Sequence, residues 1–253
     1  MVRLLDLFCG AGGAAVGYSR AGFEVVGVDL APQPRYPFEF HLADAFEYLA
    51  DHWQEFDCFH ASPVCKGYSV MKNLPWLKGR EYPYQILPVR EAFEAIGKPY
   101  VIENVMGARW GATGLKKRGL GNHGMQAGYL CGTMFGLPLY RHRLFETNWL
   151  WLAPEHLKHT RRIQSGRHLG GRARKIVFSG SAPVARRASL AAWQGSGAQA
   201  NGVGVGHAAG WRIAAEALGV QWMDREGTCQ AIPPVYTSWI GSRLLAVLEA
   251  RRD

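Results

Sequence analysis

Cys65 is the residue best placed in this chain for covalent chemistry. It lies in Ala61-Ser62-Pro63-Val64-Cys65-Lys66-Gly67-Tyr68-Ser69. The run before it, Phe56 to His60, is apolar and reads as a buried strand. That strand ends at Ser62-Pro63, since proline has no donor for a sheet ladder. A thiol just past a strand end, on a loop loosened by Gly67, sits in the crevice where open α/β sheets bind ligands. There it can serve as a nucleophile. The other reading is a small buried hydrophobe, the common fate of a free cysteine. A carboxylate falls at the same end of the sheet. Tyr100-Val101-Ile102 reads as a strand running out into Glu103-Asn104-Val105, so Glu103 either faces Cys65 across the crevice or caps and solvates. Arg141 and Arg143 lie two apart in the alternating run Tyr140 to Glu146 and so share one strand face. They imply a common anionic partner, or a solvated edge.

These groups need a frame. Val2 to Phe8 is an apolar strand that runs into Cys9-Gly10-Ala11-Gly12-Gly13, then into a helix from Ala14 to Ala21 that stops at Gly22. Strand, glycine turn and helix open a nucleotide-type βαβ unit, and the glycines let a ligand approach the backbone. The spacing is not the GxGxxG that holds a pyrophosphate. The second strand, Glu24 to Val28, ends at Asp29, which suits ribose hydroxyls or caps a helix. A short strand from Phe40 leads to Asp44, which can accept from an adenine amino group, cap the helix Ala45 to Ala50, or both. Leu87 to Ile96 and Ala214 to Leu218 are helical, and a closing helix spans Ser238 to Arg251. The alternation predicts an α/β fold with a parallel sheet.

The chain has 253 residues, room for one large domain or one domain with a small second one. Lys and Arg number 29 against 20 Asp and Glu, a formal charge of +9, which suggests a polyanionic partner. The distribution sharpens this. From His156 to Arg212 there are ten basic residues and no acidic one; such a stretch repels itself unless a polyanion neutralises it. Lys66 to Pro83, rich in glycine, proline and basic residues, reads as a mobile lid over a nucleic-acid substrate. The five cysteines include no CxxC pair, so neither a zinc site nor a disulfide framework is expected. No signal segment or membrane span is visible, and a cytoplasmic location is expected.

Together these segments resemble the cytosine-C5 DNA methyltransferase family. Asp6 to Gly13 is similar to its first motif, Pro63 to Ser69 to its nucleophile motif, and Glu103-Asn104-Val105 to its glutamate motif. Arg141-His142-Arg143 is similar to the paired-arginine motif and Gln230-Ala231-Ile232-Pro233-Pro234 to the last motif. The order is the family's. The family usually has proline where this chain has Val64, glutamine where it has Lys66, and asparagine where it has Gln230.

The resemblance implies a Rossmann-like fold dependent on S-adenosylmethionine, with a small basic target-recognition region. Residues 1–146 would form the catalytic and cofactor-binding domain and 147–211 the recognition region; 212–253 would return to the catalytic domain. Cys65 would attack C6 of a flipped cytosine, Glu103 would hold N3 and the exocyclic amine, and Arg141 and Arg143 would assist. Lys66, Arg141 and Arg143 are expected to lower the Cys65 pKa. Phe8, Ala11, Gly13, Asp29, Leu30, Asp44, Ala45 and Ile232 would meet the cofactor. Lys66, Ser69, Arg172, Arg174 and Lys175 would contact double-stranded DNA, with the enzyme a monomer that needs no metal. An RNA cytosine methyltransferase and a catalytically impaired DNA-binding relative are the alternatives. Pairing with a restriction nuclease would place it in a restriction-modification system.

Overall fold

The computed structural model describes residues 1–69, 80–110, 124–125, 127–156, 159, 162–164, 201–203 and 211–251. Seven strands make one sheet: β1 Val2–Leu7, β2 Phe23–Asp29, β3 Glu39–Leu42, β4 Cys58–Ala61, β5 Tyr100–Asn104, β6 Gly128–Leu130 and β7 Arg143–Thr147. Their order is β3-β2-β1-β4-β5-β7-β6. β1 to β5 run parallel, while β7 is antiparallel to both β5 and β6. Register brings Leu7 beside Val28 and Ala61, and Ala61 beside Ile102. The carboxyl ends of β1, β2, β4 and β5 therefore lie side by side.

The period of two along β1 feeds two cores. Leu5 and Leu7 join Phe59 and Ile102 beneath α2 (Ala45–His52) and α3 (Ile86–Ile96). Leu4 joins Val25 and Val101 on the other face, under α1 (Gly13–Ala21) and α6 (Pro234–Ala250). Burial on both faces explains why these strands read as apolar runs rather than alternating ones. α1 opens at Gly12 and stops at Gly22, both left-handed (φ +83° and +105°), a conformation that costs glycine little. α1 and α6 press together at Gly17, where a Cβ would lie 2.1 Å from the Pro234 carbonyl oxygen. Asp44 caps α2 by accepting from the Phe46 and Glu47 amides. A third core packs α4 (Trp211–Leu218) against Leu139, Met223 and Ala231.

One sequence expectation shifts and one element is new. The strand expected from Tyr140 begins at Arg143, so Arg141 lies outside it and the two arginines do not share a strand face. A short helix, α5 (Arg225–Gln230), precedes the Ala231-Ile232-Pro233 stretch; Asp224 caps it by accepting from the Gly227 amide. Arg162–Gln164 (β8) and Asn201–Val203 (β9) form a separate parallel pair. Residues 70–79 of the expected lid, and Arg172, Arg174 and Lys175, lie outside the described residues. Among the described residues no helix is long and apolar enough to cross a membrane.

Candidate active site

One cleft of about 590 Å³ opens at the carboxyl ends of the parallel strands. Its walls include Cys65 and Lys66 after β4, Glu103 at the end of β5, and Arg143 at the start of β7. Phe8, Ala11 and Gly13 of the glycine turn, Asp29 and Leu30 after β2, and Ile232 ahead of α6 line the same cleft. The crevice expected from the strand ends is thus where these groups meet. Asp44, Ala45, Ser69 and Arg141 are not in its wall.

The Cys65 loop is held by its neighbours. The Cys65 carbonyl accepts from the Tyr68 and Ser69 amides, both at 3.0 Å, making a tight turn. Asn104, fully buried at the end of β5, donates from Nδ2 to the Pro63 carbonyl at 2.9 Å. Its Oδ1 accepts from the Val105 amide. One side chain therefore couples the strand that carries Glu103 to the loop that carries Cys65. Gln85 adds a second tie, accepting from the Val64 amide. Cys65 itself is exposed at the cleft, so it is not a buried hydrophobe. The surrounding protein still partly desolvates the thiol, which pushes its pKa up; the Glu103 carboxylate adds to the rise. Arg143 and Arg141 pull the other way without prevailing. The expected lowering is therefore corrected: desolvation, with Glu103, outweighs the two arginines.

Glu103 is almost completely buried and lies 2.8 Å from Arg143 Nε. The pair is close but poorly aligned, for Oε1 has no hydrogen-bond partner among the described residues. Burial raises the Glu103 pKa; Arg143, His60 and Arg141 oppose this. A carboxyl of this kind keeps its proton more readily than usual and can donate it in a hydrogen bond.

Arg141 is an interior brace. Its Nη2 donates to the Cys229 carbonyl at 2.9 Å, and its own carbonyl accepts from the Tyr236 hydroxyl at 2.6 Å. Burial pushes the guanidinium down to about 9, with Arg143 adding to the effect, so it remains a cation at neutral pH. Its charge acts on Glu103 and Cys65 at a distance while its hydrogen bond fastens the chain ahead of Gln230.

The glycine-turn side of the cleft is shaped by backbone. Phe8 has φ +57°, a strained value for a bulky residue, and its ring meets Phe46 edge-on. Asp29 caps no helix. Its Oδ2 accepts from the Gly10 amide at 3.0 Å and its Oδ1 from the Ala31 amide at 2.9 Å. This fixes the glycine turn against the end of β2. Trp222, which carries no motif signal, donates from its indole to the Ala11 carbonyl at 2.9 Å. Gly13 sits so close to Ile232 that a Cβ would lie 2.5 Å from the Ile232 carbonyl oxygen.

A second cluster lies apart from this cleft. Cys131, His142, His156 and His159 offer ligand atoms within 4.8 Å of one another. The expectation of no metal rested on cysteine spacing; the signal it passed over is the His-x-x-His pair His156 and His159.

No protein-family model matches the chain, and no curated protein matches it. Solved structures do. The chain is similar to Entamoeba histolytica methyltransferase EhMeth, with a TM-score of 0.56 at 11% identity over 98% of this chain and 99% of that one. It is similar to S. pombe Dnmt2 methyltransferase, with a TM-score of 0.55 at 14% identity over 98% and 99%. Against Spodoptera frugiperda DNMT2 the match covers 62% of this chain and 54% of that one, at 16% identity and a TM-score of 0.39, too partial to carry an argument. With the strand order above, the two full-length likenesses give the architecture its name: this is the Rossmann-like methyltransferase fold.

Proposed function

We propose that the protein is a DNA (cytosine-5)-methyltransferase that works through a covalent Cys65 adduct. The observation that carries this reading is the convergence of Cys65, Glu103 and Arg143 in one cleft with the glycine turn. The cleft also suits S-adenosylmethionine. Its volume lies in the range of small-molecule sites, Asp29 stands at the tip of β2 where ribose hydroxyls are held, and Phe8 and Ile232 offer apolar faces. When bound, that cofactor supplies an electrophilic methyl group. The chain's own residues do the rest. The Cys65 thiolate adds to C6 of the cytosine, which makes C5 nucleophilic. Protonated Glu103 donates toward N3 and accepts from the exocyclic amine, stabilising the attacked ring. Arg143 holds the Glu103 carboxyl in place. Loss of the C5 proton and expulsion of Cys65 end the turnover. The base must leave the duplex to meet these groups, and in this reading residues 147–211, with Arg172, Arg174 and Lys175, grip the phosphates, Lys66 borders the flipped base, and Ser69 contacts the DNA outside the cleft wall. The enzyme would act as a monomer.

The test is a covalent trap. Duplex DNA containing 5-fluorocytosine at many sequence contexts, incubated with cofactor, should yield a denaturation-resistant protein–DNA adduct, and Cys65→Ala should yield none while still binding DNA. An adduct in the Cys65→Ala variant would end the nucleophile assignment. No adduct with the parent would favour an impaired relative. An adduct formed on 5-fluorocytosine RNA in preference to DNA would move the substrate to RNA.

A further inference from the structure

We infer that Cys131, His142, His156 and His159 form a structural zinc site beside the candidate active site. The four come from three segments at the β6–β7 edge of the sheet. Cys131 follows β6, His142 precedes β7, and His156 and His159 lie in the chain that leaves β7. Their ligand atoms face inward. His142 Nε2 is 3.3 Å from His156 Nε2, His156 Nε2 is 3.0 Å from His159 Nε2, and Cys131 Sγ is 3.4 Å from His159 Nε2.

Hydrogen bonding alone does not account for this arrangement. An imidazole Nε2 carries either one proton or one lone pair, never both. His156 Nε2 faces two other Nε2 atoms but has a single proton or a single lone pair, which cannot be aimed well at both. A cation at the centre removes the conflict, because every lone pair then points at positive charge. The spacing is close to that of a tetrahedral zinc, whose bonds of about 2.0–2.1 Å to nitrogen and 2.3 Å to sulfur separate its ligands by about 3.3–3.6 Å; the His142–His156 and Cys131–His159 separations fall in that range and His156–His159 is slightly shorter. One thiolate with three neutral imidazoles and no carboxylate selects zinc over magnesium or calcium. Four protein ligands leave no open position, which marks a structural rather than a catalytic site.

The surroundings fit as well. Cys131 Sγ accepts from the Thr133 hydroxyl at 3.3 Å and from the Met134 amide, the outer contacts that hold a ligating sulfur in place. Tyr140 stacks on His159 at 3.8 Å, and Tyr129 packs on His142 and His156. His142 sits between Arg141 and Arg143. Zinc there would pin both arginines' backbone to the start of the basic segment.

The test needs no DNA and no methyl donor, so it stands apart from the activity. Protein purified without chelator should contain one zinc per chain by elemental analysis. Stripping it should lower the melting temperature, and added zinc should restore it. Cobalt in its place should give the visible bands of a tetrahedral ion and a thiolate charge-transfer band that Cys131→Ser abolishes. His156→Ala and His159→Ala alter partly exposed residues, so circular dichroism can confirm their folding. Each should weaken zinc binding beyond the roughly 10–100-fold that loss of an outer-shell partner costs. Metal-free protein whose melting temperature ignores both zinc and chelator would overturn the proposal, as would stoichiometric copper or iron in place of zinc, or unchanged zinc affinity in the folded histidine variants.

Discussion

Gly17→Ala is expected to destabilise the fold although alanine is the better helix former. At Gly17 a Cβ would lie 1.9 Å from Thr237 Oγ1, 2.1 Å from the Pro234 carbonyl oxygen and 2.8 Å from the Ser238 nitrogen. Backbone atoms cannot swing aside as a side chain can. To regain an ordinary contact at the carbonyl, α6 must withdraw by roughly 1.3 Å, an overpacking that costs about 1–3 kcal/mol. The Thr237 hydroxyl, which donates to the Ala14 carbonyl at 2.8 Å, would be displaced, costing about 1 kcal/mol more. Helix propensity returns about 0.5–1 kcal/mol. The balance is near 2 kcal/mol, which at a slope of about 2–3 kcal/mol/M lowers the urea midpoint by roughly 0.7–1 M. Because Ile232 lies just ahead of α6 and lines the cleft, cofactor affinity by calorimetry should fall too. A Gly17→Ala protein as stable as its parent would refute the packing of α6 on α1 described here.

Further outcomes are expected. Iodoacetamide should alkylate Cys65 with a midpoint above the ordinary thiol value of 9.0, since desolvation and Glu103 raise it. Glu103→Gln removes the negative charge, so the midpoint should move down; an upward move would contradict the charge balance. Asn104→Ala leaves the buried Pro63 carbonyl without its partner, at about 1–3 kcal/mol, and the partly buried Val105 amide without its own. Asn104 is absent from the cleft wall, so cofactor binding should hold while 5-fluorocytosine trapping slows by about 100-fold, the cost of a shift near 1 Å; trapping at the parental rate would dismiss its positioning role. Replacing Arg172, Arg174 and Lys175 with neutral residues should flatten the log–log salt dependence of duplex binding by up to about 2.7 units. An unchanged slope would remove them from the phosphate contacts.

The parts of the fold legible in the sequence are those written in neighbouring residues. β1, its glycine turn and α1 follow from a continuous apolar run, left-handed glycines and a stop at Gly22. The α2 cap follows from Asp44 alone. Cys65 and Glu103 were legible as crevice residues because one lies on the loop just past β4 and the other near the end of β5. What escaped depends on distant partners. Arg141 looked like a strand residue because Tyr140 to Glu146 alternates; its place is instead set by the Cys229 carbonyl, 88 residues away. The raised Cys65 pKa depends on how tightly protein surrounds the thiol, which no spacing records. The bond from Asp29 to Gly10 required knowing that β2 lies beside β1. α5 is short and polar, with no apolar period to announce it.

The contact between α1 and α6 has a consequence for assembly. Its Thr237–Ala14 bond joins residues 223 positions apart, and the Trp222–Ala11 bond, which ties the glycine turn to the chain ahead of α5, joins residues 211 apart. Bringing such separated residues together costs about 5 kcal/mol of chain entropy before any packing repays it, and contacts of this range slow folding. On a ribosome the first five parallel strands emerge long before Trp222 or Ile232 exists. A nascent chain thus holds its parallel strands early but lacks the cleft wall that Met223 to Ile232 supply until that segment has been made.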